Sequence, residues 1–343
     1  MLYQLSHVRV ATFPVSRGVR ERTLAEPEPG IQTLHARPRG AWKWSATAVG
    51  CPKSVAVQVE RDATAAATAA PVVWIDGRLY GDARDATVGA TDHGLVVGDG
   101  VFEALKVTTA GPFALRRHLD RLDRSAAAMS LPAPDRAAVT AGVDAVLRDR
   151  TFQHGKVRIT YTGGDGPLGS QAAYGRPTLI VAAAPMTLPP ASTDVVTAPW
   201  RRNEHGALTG VKSTSYGENV RGLAYAQAHD CGETIFLNTA GNVCEGTGTN
   251  VFCVFGDEVV TPPLSAGPLA GVTRDLLLEW FPVVERDLTP AEALTADEVF
   301  LTSSLRDVQL VERWDGHAFA GLGAVSARVA GVFAERAAGD LDP

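Results

Sequence analysis

Lysine is scarce in this chain of 343 residues, with five lysines among 32 basic residues and arginine at the other 27. The four cysteines have neither the paired spacing of a structural zinc site nor the density of a disulfide scaffold, which fits a reducing compartment. No apolar run approaches the roughly 20 residues of a membrane-spanning helix. The first thirty residues also lack the unbroken apolar block of a secretory signal. We therefore expect a cytoplasmic protein with no membrane partner and no metal.

An excess of one charge sign is also lacking. The net charge of −6 gives no electrostatic reason to expect a nucleic acid as a partner. With 45% hydrophobic and 20% charged residues, the chain has the composition of a globular protein. Residues 1–70 differ in composition from the rest of the chain. They contain nine basic and five acidic residues, and they lead into the low-complexity run DATAAATAAP at 62–71. This composition is typical of a poorly ordered basic extension or linker.

From residue 71 onward, turn signals separate short apolar runs. Asp76 and Gly77 between VVWI and RLY predict a β-hairpin. The pattern predicts further elements of a first α+β unit: strands at 101–108, 156–163 and 177–184, and helices at 116–129 and 135–148. It also predicts elements of a second unit: strands at 233–237, 250–255, 258–261 and 298–302, and helices at 216–229 and 272–280. We therefore predict an α+β fold with a small domain at 71–187, a linker at 188–193 and a larger domain at 194–343, with the ligand cleft between the domains.

The rarity of lysine makes each lysine position informative, because arginine cannot lose its proton to become a nucleophilic amine. Lys43 and Lys53 lie in the extension, and Lys106 and Lys156 lie in or beside strands. Lys212 lies in GALTGVKSTSYGENV, among glycines and small hydroxyl residues just before a predicted helix. Taken alone, this residue is either a solvated loop lysine or a reactive amine.

A second segment of interest is NTAGNVCEGTGTNVF, which contains Glu245. A carboxylate between small residues and an apolar strand is expected to be buried, and a buried carboxylate needs a cationic or proton-bearing partner. The alternative is that Glu245 only accepts hydrogen bonds from backbone amides of the following turn at 246–249.

A third segment, TPPLSAGPLAGVTRDLLLEW, leads from glycines and prolines into a helix with Gly271, Val272 and Thr273 at its first turn. Free amides and the helix dipole make such a start suitable for a phosphate. Arg121 lies on the apolar face of the predicted helix at 116–129, where a guanidinium suits a bound oxyanion; the alternative is an arginine that extends to the solvent at the helix border. Hydroxyl groups that close the strand EVFLT add further donors: Thr302, Ser303 and Ser304.

An amine, a buried carboxylate and a phosphate site are each common, but one cofactor requires all three. Pyridoxal phosphate needs an amine for its aldehyde, an acid at its ring nitrogen and several donors for its phosphate. The combination of Lys212, Glu245 and the donors around Gly271 and Ser303 therefore indicates pyridoxal 5′-phosphate.

The order of these motifs resembles that of the fold-type IV pyridoxal-phosphate enzymes, which include branched-chain aminotransferases, D-amino-acid aminotransferases and aminodeoxychorismate lyases. The resemblance covers about residues 72–335 and rests on these motifs: WIDGRL, DHGLVVGDGVFEALKV, the H-x-x-R-L helix, GVKSTSY, CEGTGTNVF, TPPLSAGPLAGVTR and EVFLTSS. It implies a two-domain fold with a small N-terminal α+β domain, a larger C-terminal α/β domain and the active site in the cleft. It further implies a homodimer.

The resemblance assigns roles to individual residues. Lys212 corresponds to the Schiff-base lysine, Glu245 to the partner of the pyridine nitrogen, and Tyr216 to the partner of the phenolic oxygen. The phosphate contacts of the family match the following residues: Arg121, Val272, Thr273 and Ser304. The freed amine of Lys212 would take the Cα proton of an amino substrate and return it at the cofactor's C4′ carbon.

The reaction that the resemblance implies is transfer of an amino group from an amino acid or amine to a 2-oxo acid. The alternatives are an aminodeoxychorismate lyase that releases pyruvate and a non-catalytic binding protein on the same fold. Glu103 favours transamination, since such a lyase usually carries a less acidic residue at that position. The substrate stays open, because RITYTGGDGPLGS lacks the Arg-x-His pattern of D-amino-acid enzymes, and EALK replaces the EG-x-R run of branched-chain enzymes.

Overall fold

The computed structural model describes residues 71–319 and 323–343; the predictions for residues 1–70 lie outside this range. Between residues 72 and 185 it contains the following strands and helices: β1 (Val72–Ile75), β2 (Arg78–Tyr80), α1 (His93–Val96), β3 (Gly100–Thr108), β4 (Gly111–Pro112), α2 (Leu115–Ala128), α3 (Arg136–Leu147), β5 (Gly155–Thr162) and β6 (Thr178–Pro185). In this part of the chain the strands form one antiparallel sheet in the order β2-β1-β6-β5-β3-β4.

The predicted hairpin and helices of this region are confirmed. Asp76 and Gly77 have φ angles of 45° and 93°, which the tight turn between β1 and β2 requires. Helix α2 buries the face that its periodicity predicts, including His118, Arg121 and Leu122. The core of this region lies between the sheet and helices α2 and α3.

The rest of the described chain contains these elements: β7 (Ser192–Arg202), α4 (Gly217–Ala228), β8 (Glu233–Asn238), β9 (Val243–Gly246), β10 (Asn250–Phe255), β11 (Glu258–Thr261), a 3₁₀ turn (Leu264–Ala266), α5 (Val272–Trp280), β12 (Val283–Glu285), α6 (Pro290–Ala293), β13 (Glu298–Ser303), β14 (Asp307–Trp314), β15 (His317–Ala318) and α7 (Ala324–Gly339). The strands form a second sheet in the order β12-β11-β10-β13-β14-β7-β8-β9, with β15 paired to β14. The pairs β11/β12, β14/β7 and β7/β8 are parallel.

The second sheet contains the predicted strands and several elements that the pattern did not predict. Helices α4 and α5 and strands β8, β10, β11 and β13 are confirmed, whereas β7, β9, β14 and α7 have no counterpart in the predictions. Strand β7 begins at Ser192, inside the predicted linker at 188–193. The division into domains at 71–187 and 194–343 stays a prediction. In the described residues, no helix has both the length and the apolar character that crossing a bilayer requires.

Backbone contacts join the first sheet to the second part of the chain close to the cavity described below. The backbone N–H of Phe102 on β3 donates to the carbonyl oxygen of Lys212 at 2.9 Å, and Val101 forms an antiparallel bridge with Ser213. The start of strand β3 therefore contacts the loop before α4 and holds the backbone at Lys212 and Ser213.

Candidate active site

A cavity of about 600 Å³ lies where elements of the two sheets meet. Its lining brings together every residue that the sequence predicts for the site: Arg121, Lys212, Tyr216, Glu245, Gly271, Val272, Thr273, Ser303 and Ser304. Their proximity does not test the role predicted for each residue, so these roles stay predictions. The cavity is also lined by charged residues that the sequence did not single out: Arg158, Arg202 and Glu218.

Lys212 is held by its backbone while its amine faces aromatic rings. Its N–H donates to the hydroxyl of Ser125 on α2 at 3.3 Å. Its Nζ lies 4.6 Å from the ring centroid of Phe102 and 5.8 Å from that of Tyr216. Burial, together with the positive charge of Arg121, lowers the pKa of Lys212 to about 8. In mildly alkaline solution, the Lys212 amine is therefore uncharged in a large fraction of the protein molecules, where it is available as a nucleophile or base.

Tyr216 immediately precedes helix α4, and its ring packs edge-on against Phe102 with a centroid distance of 5.1 Å. Burial and the nearby charge of Glu245 raise the pKa of Tyr216 to about 12. The phenol therefore keeps its proton and can donate a hydrogen bond to an oxygen atom in the cavity.

Glu245 lies on β9 with 7% of its surface exposed, so the predicted burial is confirmed. Its Oε1 accepts from Nη1 of Arg202 at 2.9 Å, and its Oε2 accepts from the backbone N–H of Leu269 at 2.9 Å. Burial raises the pKa of Glu245, and the charge of Arg202 opposes this shift. The carboxylate has a cationic partner, as a buried carboxylate requires. Glu245 accepts from Arg202 and Leu269, so the alternative, in which it bonds only the amides of the turn at 246–249, is wrong.

Arg202 was missed because arginine is too common in this chain to draw attention to one position. It lies at the end of β7, and its guanidinium reaches across β8 with Cζ 4.4 Å from the ring centroid of Phe236. This reach between strands follows from the sheet order, which the sequence pattern did not predict.

Arg121 is buried and points inward as predicted, but a protein carboxylate takes part of its hydrogen-bonding capacity. Its Nε and Nη2 donate to Oε1 and Oε2 of Glu103 at 2.8 and 2.6 Å, and its Nη1 donates to the carbonyl oxygen of Ala270 at 2.9 Å. Of the five N–H groups of an arginine, one on each terminal nitrogen stays available for a ligand. His118 also lies within hydrogen-bonding distance of Glu103 and is described further below.

The predicted anion site at the start of α5 is lined by Gly271, Val272 and Thr273 and by Ser304 at the end of β13. Thr273 is buried, and its backbone N–H is among the amides at the helix start that lack an intrahelical acceptor. Gly271 has no room for a side chain, since a Cβ there would lie 2.1 Å from Oδ1 of Asn250. This glycine lets the chain pass close to Asn250 and enter the helix at the cavity wall.

Known proteins resemble the chain over most of its length. The family model described as amino-transferase class IV matches residues 100–314. A Methanocaldococcus jannaschii protein with a provisional branched-chain-amino-acid aminotransferase name is 34% identical over 258 residues, which cover 71% of this chain and 88% of that protein. Aminodeoxychorismate lyase of Bacillus subtilis is 28% identical over 249 residues, 69% of this chain and 84% of the lyase.

A solved structure resembles the chain as well. The PLP-bound form of a hypothetical aminotransferase from Mycobacterium tuberculosis has a TM-score of 0.69 and 25% sequence identity, and the match covers 77% of this chain and 97% of that chain.

Proposed function

Because the chain belongs to the class IV aminotransferase family, we propose that it transfers an amino group from an amino acid or amine to a 2-oxo acid, with pyridoxal 5′-phosphate bound at Lys212. The family depends on this cofactor, and the M. tuberculosis relative is PLP-bound. The observation that carries the proposal is the meeting of the Lys212 amine, the Glu245 carboxylate and the Tyr216 phenol in one cavity, which also contains the anion site.

The donors and acceptors of the cavity fit this cofactor. Lys212 supplies the amine for an aldehyde, Glu245 an acceptor for a ring N–H, and Tyr216 a donor for a ring oxygen. Two buried polar atoms in the cavity wall, Oγ1 of Thr302 and Nε of Arg202, have no hydrogen-bond partner among the described residues. Buried polar atoms are normally paired, so these two support a polar occupant.

Pyridoxal 5′-phosphate, when bound, supplies an aldehyde for the substrate amine and a ring that withdraws electrons from the Cα–H bond. Lys212 acts as the base that takes the substrate's Cα proton, a role that its pKa of about 8 suits. Glu245 holds a proton at the pyridine nitrogen, and Arg202 keeps the carboxylate oriented. Arg121, Thr273 and Ser304 bind the phosphate and thereby keep the ring within reach of Lys212.

Arg158 supports a substrate with a carboxylate. It lies on β5 and lines the cavity, with its Cζ 3.8 Å from the ring centroid of Phe102 and its Nε donating to Thr160 Oγ1 at 3.2 Å. The terminal nitrogens are the planar, two-pronged donors that carboxylates favour. We propose that Arg158 binds a carboxylate of the amino or 2-oxo acid.

The alternative function is an aminodeoxychorismate lyase, which the relative from B. subtilis supports. The lyase would use the same Lys212 and Glu245. After removal of the substrate proton, however, a bond would break and release pyruvate, and the proton would not be returned to the cofactor.

Incubation with amino donors in the absence of any acceptor tests the proposal. A panel of L- and D-amino acids and primary amines is expected to contain a donor that converts the cofactor's aldehyde absorbance to that of the amine form. Lys212→Ala should lower the rate of this conversion by a factor of about 100 or more. Lys156→Ala, at an exposed lysine on β5, is the control and should leave the rate unchanged. Release of pyruvate from aminodeoxychorismate without an acceptor, with no donor active, would instead assign the lyase function.

We also propose that the protein is a homodimer in the cytoplasm. Exposed apolar side chains support a second copy as the partner: Leu95 of α1 and Leu168 and Tyr174 of the loop between β5 and β6. The loop lies against α1, since Nε2 of His93 contacts the carbonyl oxygen of Pro167 at 2.8 Å. A shared apolar patch of this kind is typical of a subunit interface.

A further inference from the structure

His118 connects the anion site to a buried carboxylate that the proposed mechanism does not use. Its ring is fully buried, with Nδ1 2.7 Å from Oε2 of Glu103 and Nε2 3.3 Å from Oγ of Ser304. Glu103 is also fully buried and accepts from Arg121. Two residues of the anion site are therefore bonded to this pair: Arg121 to Glu103, and Ser304 to His118.

The position of each proton in this network follows from the ionisation of Glu103. Although burial opposes it, the charge of Arg121 and the hydrogen bonds from Arg121 and His118 lower the pKa of Glu103 to about 2. An ionised carboxylate only accepts, so the proton between the two residues lies on Nδ1 of His118. Burial lowers the pKa of His118, which favours the neutral ring with a lone pair at Nε2. The hydroxyl of Ser304 must then donate to Nε2.

This arrangement turns the Ser304 proton away from the cavity. An anion beside Ser304 would meet the lone pairs of its oxygen, which repel it. If Nε2 carries a proton, the bond reverses: Nε2 donates to Oγ, and the hydroxyl is free to donate to the anion. The charged groups that face His118 are Glu103 of β3, Arg121 of α2 and Lys212 of the loop before α4. Glu103 favours the imidazolium and the two cations oppose it, so an anion that screens those cations favours protonation.

We propose that His118 is a positioning residue that takes up a proton when an anion binds, so that the Ser304 hydroxyl turns to donate to the anion. The proton comes from the solvent, and it forms the Nε2–H bond as the Ser304 hydroxyl releases that nitrogen. The identity of the anion as the cofactor's phosphate rests on the proposed function; the coupling itself requires only a dianion of that size at the site.

Sulfate is a suitable probe because it stays doubly charged across the neutral range. The protein is the full chain carrying Lys212→Ala, which removes an amine with a pKa of about 8 from the cavity and leaves Arg121 as the cation that opposes protonation of His118. Calorimetric titration in two buffers of different ionisation enthalpy is expected to report uptake of about one proton per sulfate at neutral pH. Above the pKa of free His118, sulfate affinity should fall by up to about tenfold per pH unit as pH rises.

A second measurement observes His118 directly. In protein labelled with ¹⁵N-histidine, the Nε2 resonance of His118 is expected to change from the lone-pair to the protonated position on addition of sulfate. His118→Asn keeps a donor for Glu103 and removes Nε2, so this variant should bind sulfate without proton uptake. The conservative variant thus separates proton coupling from a purely structural role.

The proposal is overturned if His118 stays neutral while sulfate binds, or if sulfate does not bind to the chain that contains His118. The proposed function is tested separately by reduction of the wild-type protein with borohydride after loading with pyridoxal 5′-phosphate. Label on Lys212 with a neutral His118 would retain the function and reject the coupling. Proton uptake without label on Lys212 would do the reverse.

Discussion

Burial acts on Lys212 and Glu245 in the same sense, since it favours the uncharged form of each. It lowers the pKa of Lys212 to about 8 and raises the pKa of Glu245. The opposite charges of the two residues partly reverse both shifts. At the residue scale, burial and the paired charges therefore oppose each other at both residues.

The first prediction concerns the pH dependence of cofactor capture. Only the neutral amine of Lys212 attacks an aldehyde, so the capture rate should rise about tenfold per pH unit below pH 8 and level off above it, as the pKa of about 8 requires. Stopped-flow absorbance after mixing the cofactor-free protein with pyridoxal 5′-phosphate measures this rate. A rate that continues to rise to the pKa of an ordinary lysine, about 10.4, contradicts the assignment.

The second prediction concerns Glu245. Replacement by alanine removes the acceptor that holds a proton at the ring nitrogen, so turnover is expected to fall by about 100-fold or more. Cofactor affinity should fall much less, because the phosphate contacts remain. Turnover and equilibrium binding of the cofactor are measured on the same preparations. Glu258→Ala, at an exposed carboxylate on β11, is the matched control and should change neither quantity.

At the scale of elements, sequence periodicity predicts which face of a helix is buried. It does not predict the distance at which that face packs on a sheet. Helix α3 packs on β1 and β6 through Gly142, where a Cβ would lie 2.8 Å from Val181 and 2.9 Å from the Trp74 ring. Glycine at this position therefore permits the short distance between helix and sheet. The sequence contains the glycine, but the atoms that it meets come from two distant strands.

The third prediction compares two helical glycines. Gly142→Ala should lower the free energy of unfolding by about 1–3 kcal/mol, because the added methyl group displaces packed atoms. Gly331→Ala in α7, where a Cβ would meet nothing within 4 Å, should raise it by about 0.5–1 kcal/mol. Denaturant titrations of both variants measure the difference. Equal effects at the two positions would refute the packing argument.

Several elements were missed because their sequences lack the pattern of their structures. Strand β7 contains an Ala-Pro pair followed by Trp-Arg-Arg, and its pairing with β8 shifts register between Thr197 and Arg201. Such an irregular strand shows no simple alternation. It is nevertheless the strand that carries Arg202 to Glu245.

For the whole molecule, the proposed dimer makes the fourth prediction. Leu95, Leu168 and Tyr174, the residues of the proposed patch, are each 70% exposed or more, which is unusual for large apolar side chains that no partner covers. Sedimentation is expected to give a mass of twice 36.1 kDa. Leu95→Glu combined with Leu168→Glu should shift the protein towards the monomer, since charge on a buried interface is costly.

Leu188→Glu provides the control for that experiment. Leu188 is also exposed, at 56%, but lies between β6 and β7, outside the patch. The control should keep the mass of the dimer. A monomeric wild-type protein, or a dimer that is insensitive to the patch substitutions, would reject the interface.

The sequence by itself determined the chemistry that the site can carry: the rare Lys212, a carboxylate among small residues, and a helix start rich in free amides are local features that a linear pattern displays. Most predicted strands and helices are also local, since turn residues and periodicity mark them. Only the tertiary structure decided which charges meet. Arg202 reaches Glu245 across a strand, and Glu103 joins Arg121 and His118, because burial forces ionisable groups from distant segments to satisfy one another. That requirement acts in three dimensions and leaves no fixed spacing in the chain.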